Sequence, residues 1–538
     1  MRGSKRTSRI AAYVASGALV VSGTVLAVTP AEAAEHDPVG VTQGADWLES
    51  QLNDGIVHND DFDFDDIGLT ADFAIAFSEM VGHEETVTEI VEAIEPRAES
   101  EWYTSTYEGV TTTYAGSIAK ALVLAQEAGS DPTSFGGENL VTQLENRTAG
   151  SAPIAGRIEN LNDDFGDANV IGQAYAAHGL AVASSSEASA ATNFLLQQQC
   201  PAGGFRLDFT EDKTAAGQSC TDDTQAQIDV TAIAVLQLAS QGGTGSVATA
   251  ITKAKAWLVT QQNDDGSWVG GPTTDVPNAN STGLAALALG EGATLERSEE
   301  AAQWLRAHQA TDYDTCDKLQ NDIGAVAYDD AGLAAGRSNG ITAAKQDEWR
   351  RASSQAVPAL AYLPEDATPS APVLTGPSGY LKAGSRRSLT TKGVAAGDQL
   401  CLTGPGAAVQ GTATGSTKLL AVDLPGGTGT RTYTVRDSWG HSDTASVKVL
   451  GPKTLVVNRT KSRVKRSGWV TARVGGLASQ EPARIFYKGN LVRSGKATTA
   501  GWFSASFRVG RELGAQRIAG HGQFSDFRRG ATTVRVVR

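Results

Sequence analysis

From residue 41 to 363 the apolar positions recur with helical period, and the stretches between them carry turn chemistry. Trp257, Leu258 and Gln261 share one helical face. Asp264-Asp265-Gly266-Ser267 stops that helix, and Trp268 returns an aromatic to it. Asn280, Ser281 and Thr282 offer capping oxygens to a second helix striped by Leu284, Leu287 and Ala288. A helix pair of this kind cannot bury both faces alone, so the pattern predicts repetition. Trp47-Leu48 leads to Gly55 and then Leu69-Thr70-Ala71; Phe194-Leu195 leads to Gly203-Gly204-Phe205 and then Asp229-Val230-Thr231-Ala232; Trp304-Leu305 leads to Asn321-Asp322-Ile323-Gly324. Further second-helix starts stand at Tyr114 and Ile171. Taking Ala71, Ala115, Gly172, Ala232, Gly283 and Gly324 as equivalent predicts six degenerate helix pairs. One more helix, Ala343 to Leu360, closes the segment, with Pro358 ending or kinking it.

Beyond a Pro/Ala/Ser/Thr linker at 364–372 the period changes to two. Residues 373–450 and 452–538 each read as short alternating strands with turns every 8–12 residues, the pattern of an immunoglobulin-like sandwich. Lys488-Gly489-Asn490 is a hairpin signal.

Gln262-x-x-x-Gly266-x-Trp268 resembles the QxxxGxW motif of the squalene cyclase and protein prenyltransferase superfamily, and Gln199-x-x-x-Gly203-x-Phe205 is a weaker copy. The resemblance implies an all-α (α/α)6 toroid over 41–363, with the Trp positions on outer helices and the Ala/Gly positions on inner helices around a central cavity. The expected architecture is multidomain: this toroid followed by two all-β immunoglobulin-like sandwiches. Such toroids host cyclases, prenyltransferases, cobalamin carriers and thioester domains, so the fold alone does not select the chemistry.

The first residues read as a secretory signal peptide, 1–33. Arg2, Lys5, Arg6 and Arg9 precede an apolar run from Ile10 to Val28, and Ala31-Glu32-Ala33 fits a cleavage site. The expected location is therefore extracellular, with cell-wall association suggested by the charge of the tail. Residues 35–369 hold 15 Lys and Arg against 52 Asp and Glu, whereas 452–538 hold 18 against 3. The toroid should repel phosphate-rich polymers and the tail should attract polyanions. Lys461, Arg463, Lys465, Arg466, Arg528 and Arg529 are the expected polyanion-binding residues. A cell-wall polyanion or acidic glycan is the expected partner, with docking on the acidic toroid as the alternative; nucleic acid is not expected. Four cysteines in an exported chain predict disulfides, with Cys200 and Cys220 the expected pair and Cys316 and Cys401 left free or bridged.

Asp63-Phe64-Asp65-Asp66 is a literal DxDD, the string that resembles the general-acid motif of class II terpene cyclases. A carboxylic acid that protonates an alkene must sit in an apolar cavity. Five acids within residues 60–66 predict a solvated loop instead. Two readings follow: capping of the next helix by Asp65 and Asp66, or a Ca²⁺ site from Asp61, Asp63, Asp65 and Asp66. His178 reads as a packing histidine, and no metal-ligand set, nucleophile elbow, HExxH or P-loop is found.

What remains is the cavity. Asn169, Gln173, Asp229, Asn280 and Asn321 recur near inner-helix ends, with Tyr175 and Tyr328 on the same helices; they either cap those helices or face a ligand. The sequence thus favours a non-catalytic secreted binding protein. The alternative is an enzyme of the terpenoid cyclase and prenyltransferase-like or (α/α)6 glycan-active class, marked by a deep pocket with an acid beside His or Tyr.

Overall fold

The computed structural model describes residues 39–163, 168–241, 245–271, 274–364 and 370–538. The expected signal peptide, 1–33, lies outside them, as do residues 365–369 of the expected linker. Two compact units divide the chain near residue 368. Among the described residues no helix is long and apolar enough to cross a membrane.

The first unit contains α1 (Val39–Ser50), α2 (Ile67–Ser78), α3 (Glu84–Ile94), α4 (Ala115–Ala128), α5 (Leu140–Glu145), α6 (Val170–Val182) and α7 (Ala188–Gln197). It continues with α8 (Ile228–Ala239), α9 (Gly245–Gln261), α10 (Ala279–Leu289), α11 (Leu295–His308), α12 (Asp330–Asn339) and α13 (Ala343–Ala356). Helices α2, α4, α6, α8, α10 and α13 pack side to side in that order, and α13 touches α2 again, so the ring closes. Helices α3, α5, α7, α9 and α11 each lie against the inner helix they follow, and α1 covers α13. This is the expected toroid. The composition explains which layer is inner: α10 buries Ala279, Gly283, Ala285, Ala286 and Ala288, small residues that let neighbouring helices approach on more than one side.

One local device sets the register of the repeats. Gly55, Gly156, Gly203, Gly266 and Gly324 all adopt positive φ, between 78° and 118°. A Cβ there would lie within 3.0 Å of a carbonyl on an outer helix, Glu89, Ala190, Lys253, Glu300 or Gln43 respectively. Only glycine combines that backbone with that approach. Two residues on, the buried Val57, Ile158, Phe205, Trp268 and Val326 each donate a backbone N–H to an inner-helix side chain: Thr70, Gln173, Thr231, Thr282 and Ser353. The glutamine of the motif locks the turn. Gln262 Nε2 donates to Gly266 O and Arg297 O, both at 3.0 Å, and Gln199 Nε2 donates to Gly203 O and Ala250 O at 2.8 and 2.9 Å.

The sixth pair differs from the expected assignment. Gly324 is not an inner-helix residue but the motif glycine of its repeat, and Gln309 fills the glutamine place from across an insertion. The sixth inner helix is α13, continued by the 3-10 turn Pro358–Tyr362. The expected closing helix is thus part of the ring itself; it ends at Ala356 because proline follows at 358.

The second unit holds both β-sandwiches. In the first, a five-stranded sheet (Ala407–Thr412, Gln399–Gly404, Gly429–Asp437, Ser442–Leu450, Tyr380–Lys382) faces a three-stranded one (Thr417–Asp423, Arg386–Lys392, Val373–Thr375). Alternation buries Leu400, Leu402, Tyr433 and Val447 against Leu389 and Leu420. In the second, the larger sheet runs Lys453–Thr454, Arg528–Val537, Gly514–His521, Pro482–Tyr487, Asn490–Lys496, with Arg463–Lys465 also on Arg528–Val537. The smaller runs Val456–Arg459, Trp469–Gly475, Trp502–Arg508. Lys488 and Gly489, at φ 55° and 86°, make the expected two-residue hairpin.

Candidate functional site

The N-terminal halves of α2, α4 and α6 surround a basin of about 370 Å³. Its lining includes Asp72, Trp102, Tyr114, Lys120, Asn169 and Tyr175, with Ile233 from α8 and Gln355 from α13. Lys120 Nζ donates to Asp72 Oδ1 at 2.5 Å and to Gly68 O at 3.1 Å, so the two charged residues of the lining neutralise each other. Burial pushes the Tyr175 hydroxyl well above the ordinary phenol range, with the charges of Asp72 and Glu79 adding to it. At the other end of the inner helices the His178 imidazole donates from Nδ1 to Gln237 Oε1 at 2.6 Å, and burial lowers its pKa.

Next to this basin, the first turns of α8 and α10 hold a second polar group. Asp229 Oδ1, Asn280 Oδ1 and Ser281 Oγ are buried there without a well-aligned protein hydrogen bond. Burial raises the Asp229 pKa, and the nearby Ser281 hydroxyl opposes that. Tyr328 lies close enough for the Asp229 charge to raise its own pKa, although burial is the larger cause. A second hollow of about 400 Å³ lies between α12 and α13 and includes Tyr328.

The expected ligand residues therefore separate. Asn169 and Tyr175 line the central basin, although Asn169 Oδ1 also accepts from Gly172 N as the α6 cap. Asp229, Asn280 and Tyr328 form the neighbouring group. Gln173 is not available to a ligand: its amide donates to Gly156 O and Ala191 O and accepts from Ile158 N, replacing the outer-helix glutamine of that repeat. Asn321 is an exposed residue of the turn leading to Gly324, because its repeat's inner helix lies elsewhere.

In the acidic loop two of the four expected calcium ligands, Asp65 and Asp66, are paired with the chain's own cations. Asp65 pairs with His58 Nδ1 at 2.7 Å and Arg97 Nη2 at 2.6 Å, and these hydrogen bonds lower its pKa. Asp66 Oδ1 caps α2 by accepting from Leu69 N at 2.8 Å, while its other oxygen takes Arg351 at 2.6 Å. The chain's own cations thus take oxygens of Asp65 and Asp66, while Asp63 is exposed with His58 Nε2 3.6 Å away. Among the described residues no group of three or more His, Cys, Asp or Glu side chains is placed to hold a metal. The capping alternative is realised by Asp66 rather than Asp65. Cys200 and Cys220 form a disulfide, and Cys316 and Cys401 are disulfide-bonded too, so no cysteine is free.

In the second sandwich, Arg528 is corrected from surface ligand to core residue. It is 1% exposed and forks onto Glu481 through two bonds of 2.7 Å. Arg463, Lys465 and Arg529 do face outward on the larger sheet, and Lys461 and Arg466 are exposed nearby. Register adds basic residues that sequence reading missed. Arg463 pairs across to Arg535, and Arg529, His521 and Arg484 form one cross-strand row. Burial first, then Arg529, Arg517 and Arg484, lower the His521 pKa. Like charges opposite one another cost stability. The domain's three acids do not relieve them, since Glu481, Glu512 and Asp526 are paired with Arg528, Lys488 and Lys382. Strand alternation around Arg484, Arg517 and Arg535 was the signal in the sequence; the rows could not be read without the pairing.

No family model and no curated protein matches this sequence. Among solved structures, a protein from Actinoplanes is similar at 16% identity, over 61% of this chain and 99% of its own, with a TM-score of 0.41. A type II terpene cyclase from Scytonema is similar at 14% identity, over 60% of this chain and 96% of its own, with a TM-score of 0.41. An Escherichia coli adhesin is similar at 13% identity, over 32% of this chain and 66% of its own, with a TM-score of 0.25. At these identities the likenesses concern fold, and the assignment of the toroid rests on the closure of α13 against α2.

Proposed function

We propose that the chain is a secreted binding protein. Its toroid takes a small ligand in the basin between α2, α4 and α6, and its last sandwich holds an acidic cell-envelope polymer. The observation that carries the first part is the internal neutralisation of Lys120 by Asp72 in the basin's lining. With no net charge there, and Trp102, Tyr114 and Tyr175 around it, the basin suits a neutral, ring-bearing ligand with a few polar groups. The uncompensated arginine rows support the second part, because a polyanion would relieve their repulsion and release counterions.

Retention on purified cell wall tests the polymer reading. The full chain should be held at low salt and released at high salt, and Arg484→Gln with Arg517→Gln and Arg529→Gln should lose retention. Salt-indifferent binding, or unchanged retention by the triple variant, would refute it. Native mass spectrometry tests the basin: a bound small molecule should accompany the wild type and be lost from Tyr175→Ala.

Asp229 favours a second reading, an enzyme of the toroid class. A carboxyl that burial keeps protonated to higher pH, beside Ser281 and Tyr328, has the properties of a proton donor. If a substrate is found, loss of turnover with retained binding in Asp229→Asn would support this reading over the first.

A further inference from the structure

The smaller sheet of the last sandwich presents a second outward face, on the opposite side of the domain from the arginine rows. Strands Trp469–Gly475 and Trp502–Arg508 pair antiparallel. Their outward residues form four consecutive rows: Trp469 with Arg508, Thr471 with Ser506, Arg473 with Ser504, and Gly475 with Trp502. Rows lie two residues apart, so the strip is about 20 Å long.

Its chemistry is graded along that length. Trp469 is 57% exposed, a large apolar ring left in water, with the Arg508 guanidinium 5.4 Å from its centroid. The Thr471 and Ser506 hydroxyls, 2.8 Å apart, occupy the next row and Ser504 the one after. At the far end the Trp502 ring lies on Gly475, where a Cβ would come within 2.0 Å of it. The Arg473 guanidinium is stacked over the same ring, 4.0 Å from the centroid. That stack fixes the direction of a cation that would otherwise be mobile. The sheet's three strands, Val456–Arg459 included, contain no acid.

We propose that this strip binds an acidic polysaccharide. A pyranose ring lays its C–H face on Trp469, the sugar hydroxyls meet Thr471, Ser504 and Ser506, and carboxylates along the polymer pair with Arg508 and Arg473. Two features favour sugar over single-stranded nucleic acid. A row of hydroxyls separates the aromatic ends, and of the strip's two rings only Trp469 is more than half exposed, whereas stacked bases need successive aromatic platforms. The site is independent of the arginine rows on the larger sheet, so either can fail alone.

Binding of the full chain to fluorescein-labelled polygalacturonate, with polyphosphate and a single-stranded oligo-dT as comparison probes, tests the assignment. Trp469→Ala should weaken polygalacturonate binding about tenfold, as expected for the loss of one stacked ring, and leave polyphosphate binding unchanged. Trp469→Phe should restore most of it, which separates stacking from misfolding. Arg473→Gln with Arg508→Gln should abolish the preference for polygalacturonate over neutral dextran. Polygalacturonate binding by Trp469→Ala equal to wild type, parallel loss of polyphosphate binding, or tighter binding of oligo-dT would each overturn the proposal. Loss of polyphosphate binding in the Arg484, Arg517 and Arg529 variant, with polygalacturonate binding intact, would instead bear on the other face alone.

Discussion

The side-chain amide of Gln309 donates to the backbone carbonyl of Gly40 across 2.9 Å, and so joins the end of the eleventh helix to the beginning of the first. The same nitrogen donates to Gly324 O at 2.9 Å, and Arg306 Nη1 donates to Gln309 Oε1 at 2.5 Å. All of these groups are buried, so water cannot replace the amide. Gln309→Ala removes one donor from each of two buried carbonyls, at about 1–3 kcal/mol each before relaxation, and takes one acceptor from Arg306, which keeps Gln43 Oε1 at 3.2 Å. The first unit should lose about 2–4 kcal/mol, read as an earlier helical transition in urea followed by circular dichroism.

The motif glycines give a sharper contrast. A Cβ at Gly324 would lie 1.8 Å from Gln43 O, at φ 104°. Gly292 also has positive φ, 63°, but a Cβ there meets nothing within 4 Å. Gly292→Ala should cost about 1 kcal/mol from backbone strain alone. Gly324→Ala should cost several times more, because the first helix must move away. Equal thermal shifts for the two variants would remove the docking role assigned to Gly324.

Asp229 sets a pH dependence. Burial raises its pKa in the folded state, so the folded protein holds that proton more tightly than the unfolded chain does. Its contribution is fully present below the unfolded carboxylate value and is lost as pH rises through the folded value. Asp229→Asn should therefore gain stability over wild type as pH rises, and the two should converge in acid. Urea unfolding of both at several pH values between 4 and 8 reads the difference directly.

The Cys200–Cys220 bridge closes a loop whose ends are 20 residues apart. Restricting the unfolded chain over such a loop is worth about 3 kcal/mol in the chain-entropy account. Replacing both cysteines by serine should lower the first unit's stability by about that amount without altering polyanion retention.

Arg528 and Arg529 are neighbours with opposite assignments. Arg528→Met strands the buried Glu481 carboxylate and should cost about 3–5 kcal/mol, seen as lost stability of the second unit. Arg529→Gln, which relieves the row's repulsion, should not lower the melting temperature and should lower the salt-dependent retention on polyanions. A reversal of these two outcomes would mean that the core and surface assignments are wrong.

The amino-acid sequence by itself determined the periods: 3.6 from residue 41 to 363, two thereafter, and the break between them. Those periods follow from local burial, which one strand of text records. It also determined the capping of α2 at the acidic run, because an oxygen next to an apolar helix start acts within three residues. Only the tertiary structure decided where the last helix pair lies. Gly324 and Gly283 look alike as small residues in an apolar setting, and only docking on Gln43 marks Gly324 as a turn glycine. The same holds for Gln173, whose chain position suggests a helix-end amide but whose bonds reach Gly156 and Ala191. Arg528 and Arg529 differ by strand parity, which places one against Glu481 in the core and the other in water. The Lys120–Asp72 pair and the burial of Asp229 beside Ser281 depend on helix packing, since each joins groups from different helices. Charge counts reported how basic the last domain is; the pairing of its strands decided which basic groups stand side by side.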